Sequence, residues 1–172
     1  TVTRNGCISA SSKNYRTMRG FRVDMAAAGF LISLTGSCSN WIVEDCAFFD
    51  GAVGVLMVNI AGTGTNNTVR RCVFMSHNSG SITFTHTATV DNTSHVVENC
   101  LFIGILSNAI NVVRVGGITV RNCGFYGATT AVRVSTALTV GQTLTVNNCI
   151  VQGCSTGFQT TTAAEFVEDY NS

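Results

Sequence analysis

The 172 residues suffice for one domain of ordinary size, and 45% hydrophobic against 11% charged residues, with a mean hydropathy of +0.31, exclude a disordered or acidic tail. Ten Lys plus Arg against nine Asp plus Glu leave a net charge of +1, so neither nucleic acid nor an anionic lipid surface is an expected partner. No apolar run reaches the roughly 18 residues of a membrane-spanning helix, so membrane insertion is not expected, and the first residues lack the layout of a signal peptide.

In chain order, the first residues, Val2-Thr3-Arg4-Asn5, already read as the inside of a repeating unit. Met25 to Gly29, with three alanines, has the look of a helix, as does Thr161 to Asp169, but both fall in register with strands of neighbouring units and are read as strand or loop. The repeat itself is plain from Val43 onward. Val43-Glu44-Asp45-Cys46-Ala47-Phe48, Val69-Arg70-Arg71-Cys72-Val73-Phe74, Val97-Glu98-Asn99-Cys100-Leu101-Phe102, Val120-Arg121-Asn122-Cys123-Gly124-Phe125 and Val146-Asn147-Asn148-Cys149-Ile150-Val151 share one frame. Their cysteines are 26, 28, 23 and 26 residues apart, and Gly51, Gly104, Gly127 and Gly153 follow four of them. A second frame, small-apolar-any-apolar, keeps step with the first: Gly29 to Ile32, Gly54 to Met57, Ser81 to Phe84, Ala109 to Val112, Ala131 to Val134 and Gly157 to Thr160. Both frames alternate with period two and are rich in Val, Ile, Phe and Thr, which predicts short strands. A unit of 20 to 28 residues with two or three such strands cannot close a core alone and must stack on its copies.

The V-x-N-C-x-F-x-G frame resembles the repeat of right-handed parallel β-helix proteins, a group that includes pectate-lyase-like enzymes and phage tailspikes. The likeness runs from Phe21 to Ser172 and implies an all-β, right-handed, single-stranded solenoid of about seven coils, occupying residues 1–172 as one domain. Val167-Glu168-Asp169-Tyr170 repeats the frame shortly before the sequence stops, so the chain is expected to be a segment of a longer protein without its caps.

Stacking turns equivalent positions into rows about 4.8 Å apart. Cys46, Cys72, Cys100, Cys123 and Cys149 then form a row of small apolar core fillers beside Phe48, Phe74, Phe102 and Phe125. No Cys-x-x-Cys pair exists, so no metal centre and no cofactor is expected; Cys7, Cys38 and Cys154 lie outside the row. The turn position before it reads Asp45, Arg71, Asn99, Asn122 and Asn148, and its three asparagines resemble the asparagine ladder of the group, in which side-chain amides bond from coil to coil and accept unusual backbone angles. One position earlier, Asp24, Glu44, Arg70, Glu98, Arg121, Asn147 and Glu168 are expected to form an exposed outward row, in which opposite charges alternate from Glu44 to Arg121. Ala47, Val73, Leu101 and Ile150 make an outward apolar row, and Leu31 and Leu56 begin another, which points to a covered surface and so to a homo-oligomer or to further coils of a longer chain.

Residues for catalysis are sparse. Among nine acids, Asp45 and Asp50 are the only close pair outside the charge ladder, the arrangement that acid hydrolysis or a calcium-assisted β-elimination would require. His86 and His95 bracket the polar loop Thr87 to Ser94, where a base or a metal ligand is conceivable. The loops Ser33 to Asn40, Asn59 to Asn67, Thr85 to Ser94 and Ser135 to Thr143 should project on one side and carry hydroxyls and amides suited to sugar hydroxyls. The sequence therefore points to a non-catalytic rod on a virion or cell surface that displays or binds glycans or protein partners, with a polysaccharide as one candidate partner. The alternative is a polysaccharide lyase or glycoside hydrolase acting on an acidic polysaccharide through Asp45, Asp50, His86 or His95.

Overall fold

The computed structural model describes residues 8–24, 30–49, 56–76, 78–90, 93–136, 143–160 and 165–169. Among these, every regular element is a strand, and all pairings are parallel. Three sheets run the length of the molecule. Sheet I contains Ile8–Ser11, Phe30–Thr35, Leu56–Ala61, Ile82–Val90, Asn108–Val115, Thr130–Val134 and Thr156–Thr160. Sheet II contains Arg16–Arg19, Trp41–Glu44, Thr68–Arg70, His95–Glu98, Ile118–Arg121, Thr143–Asn147 and Glu165–Asp169, and sheet III contains Arg22–Asp24, Ala47–Phe49, Val73–Met75, Leu101–Ile103, Gly124–Tyr126 and Ile150–Gln152. The chain visits I, II and III in turn, which makes an all-β parallel solenoid. Its interior is filled over about five turns, between Leu31 and Cys149, rather than the seven expected, because among the described residues of the first turn only Met18 is buried.

The period-two alternation decides what lies inside. Val43, Val69, Val97, Val120 and Val146 of sheet II and Phe48, Phe74, Phe102 and Phe125 of sheet III are at most 1% exposed, as are most of the two interior rows of sheet I. The phenylalanine rings stack at 4.9 Å between centroids and within 11° of parallel, the spacing that the ladder hydrogen bonds impose.

The corner between sheets II and III is tight enough to need a left-handed residue. Asp45, Arg71, Asn99, Asn122 and Asn148 all have φ between 50° and 55°, and each of the first four donates its backbone N–H to a carbonyl of the next turn, as Asn99 to Arg121 at 3.1 Å. Asn and Asp suit that conformation; the arginine at 71 does not and needs another reason to be there. Similar left-handed rows mark the other corners, with Tyr15, Asn40, Asn66, Ser94 and Gly117 before sheet II and Ser76, Gly104, Gly127 and Gly153 after sheet III. In sheet I the fourth-turn strand Ile82–Val90 continues into what the sequence reads as a loop, with a register shift between Thr85 and Val90 against its neighbour.

Candidate functional site

The acidic candidates sit on the outer edge of sheet II. Register places Arg19, Glu44, Arg70, Glu98, Arg121, Asn147 and Asp169 in one row, so the first-turn member is Arg19 and the last is Asp169; Asp24 belongs to sheet III, beside Phe49, and Glu168 pairs with Val146. Nor is the row simply an exposed ladder, because Glu44 is 6% exposed. Its carboxylate accepts from Arg70 Nε and from Arg71 Nη2, each at 2.7 Å, and these hydrogen bonds hold its pKa below the usual carboxylate value against the opposing pull of burial. Asp45 accepts from Arg71 Nε at 2.6 Å and Nη2 at 3.1 Å and from Arg19 Nε at 2.8 Å, and its pKa is lowered first by Arg71. Arg71 thus forks across two carboxylates, which accounts for an arginine in a left-handed position. A carboxylate held ionised by two guanidiniums has the wrong protonation bias for a general acid, and its acceptor sites face arginine. Asp50 lies outside the described residues.

The structure places His86 and His95 inside the molecule and not around an open loop; they are 1% and 0% exposed. Their ring centroids are 5.8 Å apart, edge to face, and His95 stacks on Phe84 at 5.1 Å. His95 occupies an interior row of sheet II that reads Trp41, Asn67, His95, Ile118 and Leu144. Its Nδ1 accepts the Asn67 N–H at 3.2 Å, while Nε2 and both nitrogens of His86 have no partner among the described residues. Burial, with a smaller contribution from His86, pushes the His95 pKa down to about 3, and burial lowers that of His86 as well. Neither imidazole reaches solvent.

Cys46, Cys72, Cys100, Cys123 and Cys149 are buried, free thiols in one interior row. Each donates to the carbonyl two residues before it, at 3.2 to 3.3 Å, so the row is satisfied as neutral thiols. Neighbouring thiols and burial push Cys100 well above the ordinary thiol value. Cys38 and Cys154 are also free, and Cys7 lies outside the described residues. Among the described residues, no three His, Cys, Asp or Glu side chains converge as metal ligands would.

The outer face of sheet III is open to solvent. Register aligns Ala47, Val73, Leu101, Gly124 and Ile150 in one column and Phe49, Met75, Ile103, Tyr126 and Gln152 in a second. Val73 and Leu101 are half-buried and Ile150 is 48% exposed. Leu31, by contrast, is no part of an exposed apolar row: it is 3% exposed, at the second residue of its sheet I strand, where Met57, Ala109 and Ala131 are buried too. Leu56 pairs with Phe30 through the backbone, and its side chain lies outside the described set. At Gly124 the first column lacks a side chain, and a groove of about 420 Å³ opens there between Leu101 and Ile150, walled by the corner residues Asn99, Asn122 and Asn148. These three asparagines are exposed and make no side-chain bond to one another. The coil-to-coil bonds at this corner are carried by the backbone, and an amide-to-amide bond occurs instead at the corner before sheet II, from Asn66 Nδ2 to Asn40 Oδ1 at 3.4 Å. The sequence reading missed the second column and Gly124, although a glycine where other repeats carry Ala, Val, Leu and Ile was a visible signal. Compared with known families and with curated proteins, the chain matches no family model and no curated sequence.

Proposed function

We propose that the chain is a non-catalytic binding rod of the right-handed parallel β-helix group, akin to the tailspike-like and pectate-lyase-like members, which works on a virion or cell surface as an oligomer and binds glycans or protein partners. The observation that carries this reading is the outer face of sheet III: two in-register columns, largely apolar and free of charge from Ala47 to Ile150. The state of the catalytic candidates supports it. Asp45 is engaged by Arg19 and Arg71, and His86 and His95 are buried in the core.

Sedimentation of the purified chain, with a depolymerisation screen of neutral and acidic polysaccharides on the same sample, tests the proposal. A self-associating chain that leaves every polysaccharide intact is the expected result. Shortening of a polysaccharide that disappears in Asp45→Asn would overturn it in favour of a lyase or hydrolase.

A further inference from the structure

The groove at Gly124 has a composition that narrows the class of ligand for a binding rod. Resting on that reading of the chain, we propose that the groove is a subsite for a neutral glycan, with a pyranose face against the Tyr126 ring and sugar hydroxyls on the amides of Asn99, Asn122 and Asn148. The lining carries no charged side chain, and Arg121, the chain neighbour of the lining residue Asn122, is committed to Glu98 at 2.7 Å and 2.9 Å. An acidic polysaccharide would bring carboxylates to a surface with no free cation among the lining residues, whereas a neutral one needs only hydrogen-bond partners and an apolar platform.

The groove has both. A Cβ built on Gly124 would lie 2.8 Å from Tyr126 Cε2 and 3.1 Å from Leu101 Cδ1, so the tyrosine ring leans over the missing side chain and forms the floor of the groove. A half-buried tyrosine offers an apolar ring and a polar tip, the combination that suits the C–H face and the hydroxyl rim of a sugar. The amides stand one coil apart, about 4.8 Å by strand spacing, each with two donors and an acceptor, and none is spent on a partner among the described residues. The left-handed backbone at these positions, φ 54°, 53° and 50°, suits asparagine and is open to glycine too, so a glycine there removes the amide and keeps the corner.

Three variants separate the groove from the fold. Asn122→Gly deletes one amide and keeps the backbone conformation, Tyr126→Ala deletes the platform, and Gly124→Val fills the groove with a residue that the same column already carries at Val73. On an array of neutral and acidic glycans, the wild-type chain is expected to bind neutral members. Asn122→Gly and Tyr126→Ala should each weaken that binding about tenfold, the size of one lost hydrogen bond or contact, and Gly124→Val, whose Cβ presses on the Tyr126 ring and on Leu101 and so costs some stability, should abolish it, with sedimentation and thermal unfolding unchanged in Asn122→Gly. Preference for acidic glycans, no glycan binding at all, or neutral binding indifferent to all three variants would each overturn the proposal. Cleavage of the bound glycan by a chain whose binding obeys the three variants would sink the non-catalytic reading and leave the ligand class of the groove standing.

Discussion

Two buried imidazoles make the stability of this solenoid depend on pH in a window that carboxylates do not share. His95 is neutral in the folded chain, with its tautomer set by the Asn67 N–H on Nδ1 and its pKa pushed down to about 3 from the ordinary 6.5. Above 6.5 both folded and unfolded chains hold it neutral, and stability does not change. Below 6.5 the unfolded chain takes up a proton that the folded chain refuses, so stability falls with falling pH by up to about 1.4 kcal/mol per unit until the folded pKa is reached. By pH 5 the loss from His95 alone is about 2 kcal/mol, a large part of the few kcal/mol that separate a folded from an unfolded domain. His86 is shifted in the same direction and steepens the fall. Glu44 and Asp45, whose pKa values lie below 4.5 and 3.8, act only at lower pH.

Urea unfolding at pH 8, 7, 6 and 5 reads this slope directly. His95→Leu is the informative variant, since Leu144 stands in the same interior row and shows that an aliphatic side chain has room there. It should lower the neutral-pH plateau by about 1 to 3 kcal/mol, because the buried Asn67 N–H loses its acceptor, and should flatten the fall between pH 6.5 and 5. His86→Leu/His95→Leu together should abolish the fall. A wild-type curve that is flat from pH 7 to 5, or a His95→Leu curve as steep as wild type, would refute the reasoning.

Two further predictions concern the scaffold. Phe102 is fully buried and stacked at 4.9 Å on both Phe74 and Phe125, so Phe102→Ala should cost about 3 to 5 kcal/mol in chemical denaturation, and a loss under 1 kcal/mol would mean that the turns relax into the gap. Gly64 and Gly127 should differ sharply. A Cβ at Gly64 would collide with the carbonyl of Cys38, less than 2 Å away, so Gly64→Ala should fail to give a soluble folded chain, while Gly127, with nothing within 4 Å and φ 66°, should lose only about 1 to 2 kcal/mol as alanine, a contrast that thermal unfolding measures.

The fold was legible in the sequence because a stacked repeat writes every interior position several times. Val43, Val69, Val97, Val120 and Val146, followed three residues on by a cysteine, leave one periodicity and one inside, and the left-handed corner is announced by Asn99, Asn122 and Asn148 in register. Exposure was harder to read. Leu31 looks outward by alternation, yet in its sheet I strand the residues from Leu31 to Leu34 are all buried, so alternation there does not separate inside from outside. His86 and His95 look like loop residues because the fourth turn is the longest; the sequence does not reveal that the sheet I strand runs on to Val90, with His86 in it, or that sheet II resumes at His95, in register with Ile118. Arg19 rather than Asp24 faces Glu44 because the first turn lacks the cysteine frame that fixes register elsewhere, and only the sheet pairing restores it.

In a solenoid each residue is judged against the same position one turn above and below, and a departure from the row is either repaired by a new bond or left open. Arg71 departs from a row of Asn and Asp, and its strain is offset by hydrogen bonds to Glu44 and Asp45. Asn67 departs from a row of large apolar side chains and is repaired completely: its Oδ1 accepts the Trp41 N–H, its Nδ2 donates to the Cys38 carbonyl, and its backbone N–H is taken by His95. His86 is an unrepaired departure that faces inward, and its consequence is sensitivity to acid. Gly124 is an unrepaired departure that faces outward, beside exposed amides that the protein does not use. Stability accounts for the repaired departures and is harmed by the inward open one; only the outward one gains its meaning from something outside the chain, and for that reason the search for function starts at Gly124 and not at the carboxylates.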